Sequence, residues 1–141
     1  MLLTVKVKIF ITFLLCLLLG ACQIASPTKT TEIFLEALSQ NQYDQALEMV
    51  IIQDKTTNQL RFLVEEEKQN WINNTQSQLG YIKQYSLQNT ITLKEDVLDQ
   101  FGVKQGYEVY YSLNSERGGS QNQKIYLFRI NGDWKILVPN F

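Results

Sequence analysis

The spacing of apolar residues changes at Gly80, and that change limits the fold more than any other feature of the chain. Before it, apolar residues recur every three or four positions, the period of a half-buried helix. After it they alternate, the period of a strand. Residues 30–39 put Phe34, Leu35 and Leu38 on one helical face, with Glu32 and Glu36 away from it. Ser26 with Pro27, or Thr30 with Thr31, offer start signals. Residues 43–52 resume the spacing with Tyr43, Ala46, Leu47 and Val50, so the two segments predict a helical hairpin. Residues 58–75 predict a third helix. Leu60, Leu63 or Val64, Trp71 and Ile72 form its apolar stripe, and Glu65, Glu66, Glu67 and Lys68 its wet face.

Beyond Gly80, residues 81–93 read as one strand, bent or broken near Asn89. Residues 94–106 are ambiguous: Val97, Leu98 and Phe101 allow one helical turn, but Gly102 and Gly106 punctuate it. Strands are predicted over 107–113, 123–130 and 134–138, the first two joined by a loop over 114–120. Asn131 and Gly132 give the strongest turn signal, because a type I′ turn needs positive φ at both positions. Helices first and antiparallel strands after predict an α+β domain over residues 30–141, with helices packed on one face of a curved antiparallel sheet.

Residues 1–21 read as a targeting segment. Lys6 and Lys8 precede the apolar run 9–19, which is shorter than the roughly 20 residues a membrane-spanning helix needs but suits a secretory signal. The run ends in Leu19, Gly20, Ala21 and Cys22, a sequence that resembles the lipobox of bacterial lipoproteins. The resemblance implies cleavage before Cys22, acylation of its thiol, and residence in the bacterial cell envelope. It implies the outer membrane in a Gram-negative source, since Gln23 is not the Asp of inner-membrane retention, and the outer face of the cell membrane in a Gram-positive one. A plain signal peptide cut after Ala21, leaving Cys22 as a thiol, is the alternative. Cys16 leaves with the signal, so no disulfide forms within the mature chain. Two or three acyl chains satisfy the requirement for stable anchoring. Residues 22–29 then read as a lipidated Cys and a short polar tether; the seven residues after Cys22 reach at most about 24 Å.

The segments 31–38 and 42–46, with the ending Tyr126 to Ile136 that contains Asn131, Gly132 and Trp134, resemble nuclear transport factor 2-like domains. Cystatin-like domains share the shape, a helix on a curved sheet. The resemblance implies a cone with a central cavity, and enzymes of that fold place an acid or base inside it. Histidine is absent, and the strands placed here hold no Asp. Glu108 and Arg129 alternate outward, and Asp44, Asp54 and Asp133 fall at turns. No catalytic residue is therefore assigned. No cofactor or metal is assigned either. Glu95, Asp96 and Asp99 lack a calcium-loop pattern, and the pair Gly118 and Gly119 is not followed by a helix and a Lys. With 13 Lys and Arg against 14 Asp and Glu there is no basic excess for nucleic acid.

Two binding features stand out. Trp71, Tyr81, Tyr85, Tyr107, Tyr111, Phe128 and Trp134 are candidates to line a pocket under the sheet, or to fill it as core. Tyr126, Phe128 and Ile130 lie on one side of their strand and Ile125 and Leu127 on the other, so both sheet faces are apolar. The second face then meets a partner, either another envelope protein or a second copy, or flanking loops fold over it. The sequence reads as a lipid-anchored binding or interaction module without catalysis. Alternatives are a carrier or sensor of a small amphipathic ligand and, behind it, an isomerase- or dehydratase-type enzyme.

Overall fold

The computed structural model describes residues 25–138. The apolar run 9–19, Cys22 and the first part of the tether lie outside the described residues. Helix α1 (Pro27–Ser39) starts inside the expected tether. The Ser26 hydroxyl accepts a hydrogen bond from the Lys29 N–H at 3.0 Å, and Pro27 sits in the first turn, where a missing N–H costs nothing. Phe34, Leu35, Ala37 and Leu38 form its buried face. Asn41, at φ 57°, turns the chain into the short α2 (Tyr43–Leu47).

The helix expected through residue 52 stops at Leu47, and Val50–Gln53 forms strand β1 instead. Val50, Ile51 and Ile52 are each no more than 2% exposed, so both faces of this strand are covered. A continuous run of β-branched residues reads the same in a buried helix turn as in a buried strand until its neighbours are known. Leu60–Arg61 forms β2, antiparallel to β1, so the third helix, α3 (Glu65–Leu79), begins later than residue 58. Asn58 at φ 59° is incompatible with a helix there. The Glu67 carboxylate accepts the Val64 N–H at 2.9 Å and marks the true first turn. Glu67 also grips Arg61, and Arg61 Nε donates to Asp54 at 2.9 Å. Asp54 in turn accepts the backbone N–H groups of Thr56 and Thr57. This cluster fixes the β1–β2 turn against the start of α3.

The remaining elements are β3 (Ile82–Thr92), α4 (Glu95–Gln100), β4 (Gly106–Ser115), β5 (Gly119–Ile130) and β6 (Asp133–Leu137). The six strands form one curved sheet in the order β2-β1-β6-β5-β4-β3. All neighbours are antiparallel except β1 and β6, where Val50 pairs with Ile136 and Ile51 with Leu137 in parallel. The α+β class holds, while the sheet is mixed and not purely antiparallel, because β1 returns to pair with the last strand. The bend expected near Asn89 is a register shift between Leu87 and Asn89. The β4–β5 connection is tighter than the expected loop over 114–120. The Ser115 hydroxyl accepts the Gly118 N–H at 3.1 Å and Gln121 Nε2 donates to the Gly118 carbonyl at 2.7 Å, so pairing runs to Ser115 and Gly119. Asn131 and Gly132 adopt φ 51° and 89° in the predicted turn.

Two apolar layers cover the sheet. On one face Val50, Ile52, Val109, Leu127 and Ile136 meet Phe34 and Leu35 of α1 and Trp71 of α3. On the other, Ile51 and Phe128 are covered by Leu93 and by Val97, Leu98 and Phe101 at α4; Leu60, expected on the α3 stripe, packs there too. The Phe101 and Phe128 rings stand 4.8 Å apart. Gly106 permits this approach, since a Cβ there would meet Leu98, Leu93 and Phe128 at 2.8–2.9 Å. Around Phe128, therefore, a flanking segment of the chain itself covers the second apolar face.

Candidate functional site

Between α1, α3 and the sheet lies a cavity of about 530 Å³, within the size range of small-ligand sites. Phe34 and Leu38 come from α1, Trp71 and Leu79 from α3, and Tyr111, Leu113 and Ile125 from the sheet. Thr75, Gln53, Gln78, Gln121, Gln123 and Lys124 supply its polar groups, and no carboxylate lines it among the described residues. Register explains the composition: Tyr111 pairs with Gln123 and Leu113 with Gln121, so these side chains share one face.

Tyr111 is the polar group set deepest among apolar neighbours. It is 9% exposed, and among the described residues its hydroxyl has no hydrogen-bond partner. Burial alone pushes this phenol up to about 12, so it remains a protonated donor at neutral pH. Among the described residues no buried side-chain polar atom lacks a partner, so the Tyr111 hydroxyl itself is not sealed off, and the residue lines the cavity.

The cavity runs along β5 past its pairing with β6 among the described residues. β6 pairs with β5 only as far as Leu137 opposite Tyr126, whereas β4 follows β5 back to Gly119. Residues 119–125 thus have a partner strand on one side only, among the described residues. Side chains from both sheet faces line the same space here: Gln121, Gln123 and Ile125 from the helix face, Lys124, Tyr126 and Leu137 from the other. Gln53 at the end of β1 stands on the far side.

Of the expected pocket residues, the structure brings Trp71 and Tyr111 together at the cavity. Tyr85 is half-buried over α1 and donates to Glu36 Oε2 at 2.6 Å; that hydrogen bond, then burial, push its phenol up to about 12. Tyr81 is 49% exposed. Tyr107 and Trp134 pack edge to face at 5.2 Å within the core, outside the cavity lining. Phe128 lies on the opposite sheet face. Gln121 and Gln123 alternate in step with Ile125 and Leu127, and that period-two signal was available. Glu108 lies on the face away from the helices, half-buried, where Tyr110 donates to it and Lys124 stands 3.4 Å away. The Tyr110 hydrogen bond, assisted by Lys124, holds its carboxyl below the usual range. Glu95, Asp96 and Asp99 are exposed on α4.

The sequence matches no protein-family model and no curated protein. Two solved structures have a similar chain trace. One is an NTF2-like protein of Campylobacter jejuni, provisionally called a transpeptidase. It has a TM-score of 0.48 and 11% identity over 82% of this chain and 100% of that one. The other, an NTF2-like protein of unknown function from Cytophaga hutchinsonii, has a TM-score of 0.47 and 13% identity over 84% and 92%.

Proposed function

We propose that this protein is a non-catalytic binding module, anchored to the envelope through acylated Cys22, whose cavity takes an amphipathic ligand or partner segment. The single observation behind this is the Tyr111 hydroxyl, without a hydrogen-bond partner among the described residues, set beside Phe34, Trp71 and Leu113 in the cavity wall. An occupant with an apolar body and one acceptor group fits both features. The absence of carboxylates from the described lining favours binding over acid–base chemistry. The cover that α4 places over Phe128 favours the cavity over the second sheet face as the contact site.

The test uses the full chain in detergent and the fluorescent amphiphile 1-anilinonaphthalene-8-sulfonate. Saturable binding to the native chain, weakened about tenfold in Tyr111→Phe with the unfolding midpoint unchanged, supports the reading. No saturable binding below the unfolding transition overturns it. For the anchor, Cys22→Ser moves the protein from the membrane pellet to the soluble fraction; retention in the pellet overturns that part.

A further inference from the structure

Beyond the cavity, we infer that a second groove, on the β1–β2 side of the sheet, docks a basic and apolar segment of a partner protein. The groove holds about 440 Å³ between α2, the residues that join β2 to α3, and the first turns of α3. It shares no lining residue with the cavity. Leu47, Val50, Phe62 and Leu63 form its apolar wall, and Asp44, Glu48, Glu65, Lys68 and Gln69 its rim. Phe62 is 52% exposed and Val64, two positions on, 58%. Apolar surface rimmed by charge marks a contact site. Both ends of the described chain lie clear of it. β6 runs parallel to β1, with the Ile136 N–H on the Met49 carbonyl and the Val138 N–H on that of Ile51, so it leads away from the Val50 end. Thr28 lies beside Thr90 of β3, four strand spacings or about 19 Å from β1.

Charge selects the occupant. Asp44 and Glu48 are four residues apart at α2, so their carboxylates share one side of it. Among the described residues neither has a cation within 4.0 Å. Lys68, the one cation in the described lining, stands 3.5 Å from Glu65. Lys135 lies outside the lining: its Nζ donates to the Glu48 carbonyl at 2.8 Å and sits 5.6 Å from the centre of the Phe62 ring. The groove therefore carries three carboxylates against one ammonium. Like charges one turn apart repel, and a cation brought from outside relieves both. An anionic lipid surface has the wrong sign for this rim. The complementary partner is an exposed protein segment whose large apolar side chain packs on Leu47 and Phe62, with Lys or Arg beside it to meet Asp44 and Glu48.

A displayed library of random dodecapeptides is panned against the full chain in detergent, and the tightest binders are synthesised. The inference predicts a consensus of Lys or Arg beside a large apolar residue, with affinity that falls as salt rises. Affinity should drop at least tenfold in Phe62→Ser, and again in Asp44→Asn combined with Glu48→Gln, with the urea midpoint kept. Glu48→Lys reverses one charge and should turn the selection toward peptides that contain Asp or Glu, a change that damage to the fold does not produce. A consensus without cations, affinity unmoved by these variants, or no selectable peptide overturns the inference. Peptide binding that Tyr111→Phe weakens tenfold and Phe62→Ser leaves intact belongs to the cavity and overturns it too. A dimer of the native chain that Phe62→Ser dissociates makes the occupant a second copy, which also overturns it. Binding of the fluorescent amphiphile that depends on Tyr111 reads the cavity separately, so either reading can fail without the other.

Discussion

Arg61 and Glu67 meet through two parallel hydrogen bonds, Nη1 to Oε2 at 2.8 Å and Nη2 to Oε1 at 2.7 Å. The contact joins β2 to the first turn of α3, the helix that carries Trp71 into the cavity wall. The Arg61 hydrogen bonds draw the Glu67 carboxyl from 4.5 down to about 2, and Arg61 holds Asp54 well below its ordinary range.

Both carboxyls are more acidic in the folded than in the unfolded chain. Their contribution is therefore complete above the unfolded values near 4, and it is lost as pH falls toward 2. The urea midpoint of the native protein should drop between pH 5 and pH 2. In Arg61→Met the part of that slope due to these two groups should shrink, leaving what the backbone N–H groups of Val64, Thr56 and Thr57 sustain. Both groups are solvent-facing, so the change is a shallower pH profile and not a collapse of the fold. A profile identical to wild type would show that Arg61 does not set these acidities.

The phenols act at the other end of the scale. Tyr111 and Tyr85 are both pushed from 10.0 up to about 12 in the fold. A raised acidity constant means stability that is complete below the unfolded value and lost as pH rises through the folded one. Ultraviolet titration should therefore show two of the seven tyrosines ionising last, near pH 12 or with alkaline unfolding. Tyr111→Phe and Tyr85→Phe should each remove one late ioniser. Seven tyrosines all titrating near pH 10 in the folded chain would contradict the burial of Tyr111.

Phe128 tests the second apolar layer. It is 0% exposed and stacks against Phe101. Phe128→Ala should cost about 3–5 kcal/mol in urea unfolding at neutral pH, the range for an aromatic removed from a packed core. A loss under about 1 kcal/mol, far below that range, would mean that α4 does not seal that face.

Those elements whose signal was local were legible in the sequence. The Asn131–Gly132 turn and the Leu87–Asn89 irregularity needed only nearby residues, while Ser26 was one of two start signals and the helix begins ahead of the expected residue 30. β1 was hidden because Val50, Ile51 and Ile52 are apolar on both faces, and only Ile136 and Leu137, far along the chain, make them a strand. Trp71 and Tyr111 were recognisable as pocket aromatics, but their apparent companions were not. Phe128 sits on the face of β5 opposite Ile125 and Leu127, while Tyr81 precedes β3 and faces solvent.

The parallel pairing of β1 with β6 has a consequence for how the molecule comes to be folded. Lys135 in the last strand donates to the Glu48 carbonyl at the entrance to the first, 87 positions away in sequence. The sheet's centre therefore closes late. A chain emerging amino end first as it is synthesised holds Val50, Ile51 and Ile52 without that central neighbour until Asp133–Leu137 has also emerged. A product cut short before that strand leaves the earlier one without its central neighbour, an exposed greasy edge of the kind that chaperones and proteases intercept.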